Sequence, residues 1–536
     1  MRTGKSNQML EHSIKVRDAP VAAWPDWVLP VALRERAASN PNGIFVSMIG
    51  GDALSYAELD DASERVASFL VSLDVSPGDR VAVMAPNGLA FLQAWAGIGR
   101  LGAVMVALNT ELSGAFLAHQ LSDADPRLLI AHSNYLPTIE TAAPPTSLRI
   151  AVTGDRLDGT ESFDGWRNFS RYSGPWPAPS DIACIMYTSG TTGPAKGVLM
   201  PHAHCYLFGL GTIDNLGLGP DDHYYVTLPL FHANGLFMQV GAVLIAGATA
   251  TVRSHFSASN WISDIRNCGA TMTNMLGATS AFVAAQPSRS DDRDHALRLV
   301  SVAPNHVDHE RIWRERFGIA EVVSLYGMTE VNIPLYGERG RTRPGTCGRV
   351  YARYFEVETH DPKTDEVCAT GEIGEIVVRP LVPAGFMAGY FGLPEKTVEA
   401  WRNLWFHTGD AGFFDGEGYV TFVDRMKDCI RRRGENISSF ELEAAIGSID
   451  GIEEVAAFAV PSDIEGAEDE IMIAVAGATL PPPGLIAKRL QPLLPRYAWP
   501  RYIDCVDSLP KTTTGKVRKE ALRSRGVSPD TFDCSI

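Results

Sequence analysis

The stretch Tyr187-Thr188-Ser189-Gly190-Thr191-Thr192-Gly193-Pro194-Ala195-Lys196-Gly197 directly follows an apolar run at residues 182–186. The run predicts a buried strand, and the stretch predicts the loop at its end. Backbone N–H groups of a glycine-rich loop, together with hydroxyl side chains and an ammonium, can surround a polyphosphate. The loop is not a Walker A sequence, because Gly197 follows Lys196 where that motif has Ser or Thr. It therefore predicts a different type of nucleotide-phosphate loop.

Length and composition limit the class of protein. The chain has 536 residues, 45% of them hydrophobic and 21% charged, which is typical of a globular protein too long for one core. A formal charge of −16 argues against a nucleic-acid partner, because a phosphate backbone binds clustered cations. The eight cysteines form no CxxC pair, which predicts reduced thiols in the cytoplasm. No stretch is typical of a membrane span or a secretory signal.

Hydrophobic periodicity predicts an α/β fold for the first large domain. Residues 56–70 and 89–101 show helical periodicity, whereas residues 80–84 and 103–108 are apolar and strand-like. This alternation predicts βαβ units and a mostly parallel sheet. Residues 228–252 are apolar but contain polar side chains, which favours a buried helix beside a polar site.

The C-terminal part has a different pattern. Helices are predicted at residues 440–446 and 485–494, and strands at 455–460, 470–476 and 502–506. About 110 residues in this order predict a compact α+β domain of ordinary size. We therefore expect an N-terminal domain at residues 1–425 and a C-terminal domain at 426–536.

Two further motifs carry chemistry suited to a nucleotide. In Leu325-Tyr326-Gly327-Met328-Thr329-Glu330 a tyrosine ring can stack on adenine, a hydroxyl can hold a phosphate oxygen and a carboxylate can bind Mg²⁺. We expect one helical turn to present all three. In Phe406-His407-Thr408-Gly409-Asp410, the carboxylate of Asp410 can accept hydrogen bonds from both ribose hydroxyls. Arg425 is expected to donate from the opposite side.

These motifs, in this order, resemble the adenylate-forming superfamily, which includes acyl-CoA synthetases, luciferases and peptide-synthetase adenylation domains. The resemblance spans about residues 40 to 525. It implies a large N-terminal domain of mostly parallel sheets with helices, followed by a small, mobile α+β lid domain. Residues 433–438, Arg-Gly-Glu-Asn-Ile-Ser, are especially similar to bacterial crotonobetaine/carnitine-CoA ligase-like enzymes. Two departures from the family pattern are Ala195, often proline, and Val302, usually glycine.

The resemblance also implies roles for individual residues. Lys516, which follows a glycine in the motif at 509–519, carries catalysis, and His232 lies between the acyl carboxylate and the nucleotide. Lys427 is the hinge between the two domains, and Gly434 and Arg433 bind CoA. Thr329, Glu330 and His232 are implied to act in catalysis with Lys516, and Glu330 also binds Mg²⁺. The remaining implied site residues bind the nucleotide (Thr188, Ser189, Gly190, Thr191, Thr192, Gly193, Lys196, Tyr326, Gly327, Asp410, Arg425) or line the acyl pocket (Phe237, Gly277, Val302, Ala303).

The implied function is that of an ATP-dependent acyl-CoA ligase with ATP, Mg²⁺, CoA and a carboxylic acid as partners. Small and apolar residues in the implied acyl pocket favour a bulky apolar or alicyclic acid over acetate. Alternatives stay open: an enzyme that loads a carrier protein, one that keeps a single half-reaction, a luciferase-like oxygenase, and a nucleotide-binding relative without turnover. Retention of Glu330, Asp410 and Lys516 argues against the last of these. A homodimer also stays open.

Overall fold

The computed structural model describes residues 26–145, 147–155, 160–188, 195–303, 305, 307–341, 343–426, 430–432, 435–437, 439–461, 469–491, 493–494, 498–512 and 515–534. These residues form two compact units. The first contains the described residues of 26–188, 195–356 and 378–406, and the second those of 357–377 and 407–534. The boundary predicted between residues 425 and 426 stays a prediction. Residues 357–377 and 407–425 contribute to the smaller unit.

Helices and strands alternate along most of the chain. The helices are α1 (Leu29–Ser39), α2 (Tyr56–Ser72), α3 (Leu89–Leu101), α4 (Gly114–Ala124), α5 (Leu136–Thr141), α6 (His202–Leu216), α7 (Ala242–Ala246), α8 (Trp261–Cys268), α9 (Gly277–Ala284), α10 (Val307–Glu315), α11 (Pro394–Ala400), α12 (Ser439–Gly447), α13 (Pro483–Leu490) and α14 (Lys519–Arg525), with 3₁₀ turns at Ser133–Tyr135 and Phe163–Asn168 and a π-helix at Asn234–Gly241.

The strands are β1 (Ile44–Met48), β2 (Ala53–Ser55), β3 (Arg80–Met84), β4 (Val104–Ala107), β5 (Leu128–His132), β6 (Arg149–Thr153), β7 (Glu161–Ser162), β8 (Ile182–Thr188), β9 (Lys196–Pro201), β10 (His223–Val226), β11 (Thr249–Val252), β12 (Met272–Leu276), β13 (Leu299–Ala303), β14 (Glu321–Met328), β15 (Asn332–Tyr336), β16 (Arg349–Val350), β17 (Phe355–His360), β18 (Gly374–Pro380), β19 (Gly389–Tyr390), β20 (Trp401–Arg402), β21 (Trp405–Phe414), β22 (Val420–Arg425), β23 (Ile430–Arg432), β24 (Glu435–Ile437), β25 (Glu454–Val460), β26 (Glu470–Ala476), β27 (Tyr502–Cys505) and β28 (Phe532–Asp533).

The first unit contains two large, mostly parallel sheets. One has the order β19-β9-β8-β4-β3-β5-β6-β7, with parallel pairing from β8 to β7 and antiparallel pairing at β9 and β19. The other has the order β16-β15-β14-β13-β12-β10-β11-β1-β2, with parallel pairing from β14 to β1. The predicted α/β class is confirmed.

Local sequence explains why the first βαβ unit forms. Helix α2 begins with a capping box, in which Ser55 accepts from the Glu58 amide while the Glu58 carboxylate accepts from the Ser55 amide. Its buried face packs closely against α3, since a Cβ added at Gly97 would overlap Val66. Apolar side chains buried in this way supply most of the free energy that holds a helix to a sheet. The two helices and two strands predicted here are confirmed.

The apolar segment at residues 228–252 is helical only in part. The π-helix at Asn234–Gly241 continues into α7, and the last residues of the segment form β11. The predicted single helix is therefore wrong beyond Ala246, where Gly247 ends α7 with φ of 76°. Glycine adopts this left-handed conformation without steric cost, so the chain can turn into the strand.

The second unit is a small α+β domain. Strands β17, β18 and β21 lie partly in this unit and form a sheet with β22. Strands β25-β26-β27-β28 form a second sheet, and β23 and β24 form a hairpin. Ile446, Ile473 and Ile486 are buried on one side of the four-stranded sheet, and Phe458 and Leu522 on the other. The predicted smaller α+β domain is confirmed.

No helix among the described residues is both long enough and apolar enough to cross a membrane.

Candidate functional site

The two strands beside the phosphate loop pair with each other. Thr188, at the end of β8, is the register partner of Lys196, at the start of β9, and its hydroxyl donates to the Lys196 carbonyl over 3.5 Å. Strand β8 is also paired with β4 inside the parallel sheet. The predicted strand before the loop is confirmed, and the two residues that flank the loop pair with each other at the same end of β8 and β9. The predicted phosphate ligands Ser189, Gly190, Thr191, Thr192 and Gly193 lie outside the described residues.

The sequence predicts one helical turn from Tyr326 to Glu330, but these residues do not form one. Tyr326 and Gly327 belong to β14, and Thr329 and Glu330 lie in the turn before β15. A Cβ at Gly327 would overlap the Asn332 carbonyl, so the close return of the chain needs glycine. The antiparallel pairing of β14 with β15 overrides the local helical pattern. The turn nevertheless keeps the motif residues together.

A buried histidine fixes the carbonyl of Thr329. His204 Nε2 lies 2.8 Å from the Thr329 oxygen, and Nδ1 lies 3.1 Å from the Gly385 oxygen and 3.3 Å from Asn332 Nδ2. Burial lowers the pKa of His204 to about 4, so the ring is neutral at pH 7. In the tautomer protonated at Nε2, His204 donates to Thr329 and accepts from Asn332. The sequence analysis did not identify this residue.

Glu330 presents a carboxylate suited to a magnesium-nucleotide site. The residue is 4% exposed, and the Tyr390 hydroxyl donates to its Oε1 over 3.1 Å. Among the described residues, no cluster of three or more His, Cys, Asp or Glu could hold a metal. Mg²⁺ at nucleotide sites is commonly bound by one or two carboxylates and by substrate phosphates, so Glu330 fits this ion.

His232 lies at an exposed position before the π-helix. Its amide donates to the Pro229 carbonyl over 3.1 Å, and its ring is 4.7 Å from that of Phe231. A π-helix is uncommon and is often found at functional sites, because its wider turn redirects side chains. His232 is thus presented to solvent at the start of this segment.

A polar network follows His232 into the core. Asn234 Oδ1 accepts from Gln239 Nε2 over 3.0 Å and from Asn274 Nδ2 over 3.1 Å. Asn274 Oδ1 in turn accepts from the Tyr224 hydroxyl over 2.6 Å. The polar residues within the apolar segment at 228–252 predicted a polar site nearby. Their hydrogen-bond partners Tyr224 on β10 and Asn274 on β12 could be identified only from the structure.

The four predicted acyl-pocket residues lie in different surroundings. Gly277 directly follows Leu276, the register partner of Ala303, at the ends of β12 and β13, and both Gly277 and Ala303 are half-buried. Val302 is fully buried on the opposite face of β13, in the core around Trp261 and Trp313. Phe237 lines a different, small cavity of about 20 Å³, together with residues of α1, α3, α6 and α7. We therefore keep only Gly277 and Ala303 in the acyl surface proposed below.

In the second unit, Asp410 and Arg425 face each other across two strands. They are register partners in β21 and β22, and Arg425 Nε lies 2.9 Å from Asp410 Oδ1. The Asp410 side chain is buried, whereas that of Arg425 is 48% exposed. The Thr408 hydroxyl donates to the Ile376 carbonyl over 2.7 Å and accepts from the Asp410 amide, which fixes the strand. The two residues predicted to bind the ribose thus lie next to each other, and their roles at the ribose stay predictions.

Lys516 follows a tight turn in the second unit. The Gly515 amide donates to the Thr512 carbonyl over 2.9 Å, and the Lys516 amide donates to the Thr512 hydroxyl over 3.1 Å. Although part of Lys516 is exposed, desolvation lowers the pKa of its ammonium, Arg425 lowers it further, and Asp410 opposes both effects. Lys516 thus lies within the electrostatic influence of the predicted ribose residues.

The predicted hinge and CoA residues, Lys427, Arg433 and Gly434, lie outside the described residues. The hairpin predicted after the hinge is observed as β23 paired with β24.

The chain belongs to the AMP-binding enzyme family. The family model matches residues 33–391, and a second model, the AMP-binding enzyme C-terminal domain, matches residues 441–516. The predicted membership of the adenylate-forming superfamily is thereby confirmed.

Several curated and solved proteins are similar along nearly the whole chain. A feruloyl-CoA synthase from Amycolatopsis sp is 32% identical over 95% of this chain and all of its own. A crotonobetaine/carnitine–CoA ligase from Salmonella heidelberg is 30% identical over 88% of this chain and 93% of its own. ATP-bound MatB from Rhodopseudomonas palustris is 28% identical with a TM-score of 0.82, covering 93% of this chain and 99% of its own.

Proposed function

We propose that the protein is an ATP-dependent acyl-CoA ligase that converts a carboxylic acid, ATP and CoA into acyl-CoA, AMP and pyrophosphate. One observation carries the proposal: the chain keeps the carboxylate and lysine of the family motifs, and Asp410 is buried, paired with Arg425 and electrostatically coupled to Lys516. A protein that had lost turnover would have no reason to keep this set. The curated relatives named as CoA ligases and synthases support the same class.

In the first step, a carboxylate oxygen attacks the α-phosphorus of ATP. The bond between the α-phosphorus and the bridging oxygen breaks, pyrophosphate leaves, and an acyl-adenylate forms. The reaction is needed because a carboxylate is a poor electrophile, whereas AMP is a good leaving group. Lys196 and the loop before it hold the phosphates, and Tyr326 lies against the adenine. Glu330 and the phosphates would hold Mg²⁺, which would supply neutralisation of phosphate charge.

Asp410 anchors the ribose by accepting from its two hydroxyls, and Arg425 holds the carboxylate in place. Lys516 stabilises the charge that develops at the α-phosphate. Such a positioned donor typically contributes roughly 10²- to 10³-fold to a rate. Desolvation lowers the pKa of Lys516 and the nearby charge of Arg425 lowers it further, and a bound phosphate would supply the opposing negative charge.

In the second step, the CoA sulfur attacks the acyl carbon of the adenylate. The carbon–oxygen bond to AMP breaks, the thiol proton is released, and acyl-CoA forms. As in the family, we propose that rotation about Lys427 exchanges the Lys516 turn for the hairpin, so that Gly434 and Arg433 meet CoA. In the first step, before the adenylate forms, His232 lies between the acyl carboxylate and the nucleotide. The use of ATP and CoA supports the prediction of a cytoplasmic enzyme.

The acyl group lies against Gly277 and Ala303. Neither residue has a large side chain, and Leu276 beside them is 45% exposed, so the surface offers room and apolar contact. We therefore propose that a bulky apolar or alicyclic acid is a better substrate than acetate. A higher kcat/KM for acetate than for every larger acid would overturn this part of the proposal.

The experiment is incubation of the protein with ATP, Mg²⁺, CoA and a library of carboxylic acids, followed by mass spectrometry of the products. We expect one or more acyl-CoA thioesters, with AMP and pyrophosphate in equal amounts. The Lys516→Ala variant is the matched control and should lose the products. ADP and phosphate in place of AMP, or adenylate that accumulates in the presence of CoA, would contradict the proposal.

A further inference from the structure

Tyr390 lies beside β9, the strand that follows the phosphate loop, and beside the turn that carries Glu330. As part of β19 it pairs with Val198 of β9, two residues after Lys196. Its amide donates to the Thr397 hydroxyl over 2.9 Å. The tyrosine is thus fixed against the same strand that begins with the lysine.

The backbone on both sides of Tyr390 is held as well. The Phe391 amide donates to the Gly197 carbonyl over 2.7 Å, and the Met387 amide donates to the Glu330 carbonyl over 3.1 Å. One short segment therefore contacts the strand after the phosphate loop and the Glu330 turn together. A side chain on this segment can hold groups from both in a constant geometry.

The Tyr390 side chain contacts both charged groups. The Lys196 ammonium lies 3.8 Å from the centre of the ring, and the hydroxyl donates to Glu330 Oε1 over 3.1 Å. A cation over an aromatic face is attracted by the electrons of the ring. Burial and the Glu330 carboxylate raise the pKa of Tyr390, so the phenol keeps its proton and acts as a donor at neutral pH.

We propose that Tyr390 is a positioning residue that prepares Lys196 and Glu330 for the magnesium complex of ATP. The ring holds the ammonium near the phosphates, and the hydroxyl orients the carboxylate toward the metal. Tyr390 itself touches neither the nucleotide nor the metal in this role. The proposal rests on the proposed function, because it assigns ATP and Mg²⁺ to these two residues.

Two variants separate the hydroxyl from the ring. Tyr390→Phe keeps the ring and removes the hydroxyl, so ATP binding without Mg²⁺ should be unchanged while the Mg²⁺ concentration for half-maximal ATP binding rises. Loss of one hydrogen bond to a charged group corresponds to roughly a tenfold rise or more. Tyr390→Leu removes both contacts and should also weaken ATP binding without Mg²⁺, by roughly three- to fivefold.

Equilibrium binding of ATP, measured by calorimetry with and without Mg²⁺ on the full chain, is the readout. The matched control is Tyr225→Phe, because the Tyr225 hydroxyl donates to the buried carboxylate Asp264 over 2.7 Å elsewhere in the first unit. It should lower the melting temperature without changing the Mg²⁺ dependence. Adenylation measured by pyrophosphate exchange should show the same split, with KM for Mg·ATP raised in Tyr390→Phe.

The outcomes distinguish the inference from the function on which it rests. If the wild-type protein binds Mg·ATP but Tyr390→Phe has the same Mg²⁺ dependence, the inference is wrong and the function stands. If the wild-type protein binds no ATP, the proposed function fails. If Tyr390→Phe and Tyr390→Leu lose ATP binding equally without Mg²⁺, the ring has no separate role and the inference is overturned.

Discussion

Replacing Asp410 by asparagine should weaken ATP binding strongly and change stability little. The change keeps the shape of the side chain and removes its charge. The first effect follows because an asparagine accepts the ribose hydroxyls as a neutral group. A hydrogen bond to a charged group is worth about 1 to 1.5 kcal/mol more than a neutral one, so two such bonds predict a roughly 30- to 150-fold rise in Kd for ATP.

The small effect on stability follows from the exposure of Arg425. Its side chain is 48% exposed, so water can solvate the guanidinium once the carboxylate has gone. An ion pair with a partner so exposed contributes about 0 to 1 kcal/mol to the free energy of unfolding. The melting temperature of Asp410→Asn should therefore fall by only a few degrees.

A second pair in the same unit provides a matched control. Asp504 is buried and lies 2.8 Å from Arg525, whose side chain is 47% exposed, nearly the same geometry as the Asp410 pair. Asp504→Asn should lower the melting temperature by the same amount and leave Kd for ATP unchanged. Calorimetric titration and thermal unfolding of the two variants test both effects. Equal Kd values for ATP in the two variants would refute the ribose assignment.

Three further predictions concern the half-reactions. Lys516→Ala should lower the rate of pyrophosphate exchange by roughly 10²- to 10³-fold or more, yet spare thioester formation from supplied acyl-adenylate and CoA. Exchange at the wild-type rate would contradict the assignment of Lys516 to the adenylation step. The alkaline limb of kcat/KM for ATP should lie below pH 10.5, because Lys516 must be charged and its pKa is lowered. Arg425→Gln removes a like charge and should therefore move this limb to higher pH. No shift, or a shift to lower pH, would contradict this prediction. Gly434→Leu should block transfer to CoA but leave pyrophosphate exchange intact; equal loss of both with a lower melting temperature would indicate a structural role instead.

Local sequence was sufficient for the elements predicted above but not for the faces they present. The strand before the phosphate loop, the first βαβ unit and the elements of the small domain were predicted because their hydrophobic periods are clear. Val302 was placed in the acyl pocket, but a buried strand shows no alternation that would assign its faces. Ser301 is the register partner of Asn274, whereas the side chain of Val302 is buried in the core. Only the pairing of β13 with β12 decides which side chain points which way.

Long-range contacts explain the other misses. Tyr390 and His204 could not be recognised from the sequence, because their partners Glu330 and Thr329 lie 60 and 125 residues away. The turn at Thr329 and Glu330 was expected to be helical, and the pairing of β14 with β15 decides otherwise. Residues 357–377 belong to the second unit because β18 pairs with β21, a contact that local sequence does not show.

The central claim, that a carboxylate is activated as an adenylate before it reaches CoA, is tested most directly by an oxygen-transfer experiment. An acid found in the library screen is prepared with ¹⁸O in its carboxylate and incubated with the protein, ATP, Mg²⁺ and CoA. Because the carboxylate oxygen attacks the α-phosphorus and stays with it when CoA displaces AMP, the AMP formed should carry one ¹⁸O atom. Label found in pyrophosphate or in free phosphate, with AMP unlabelled, would contradict the account.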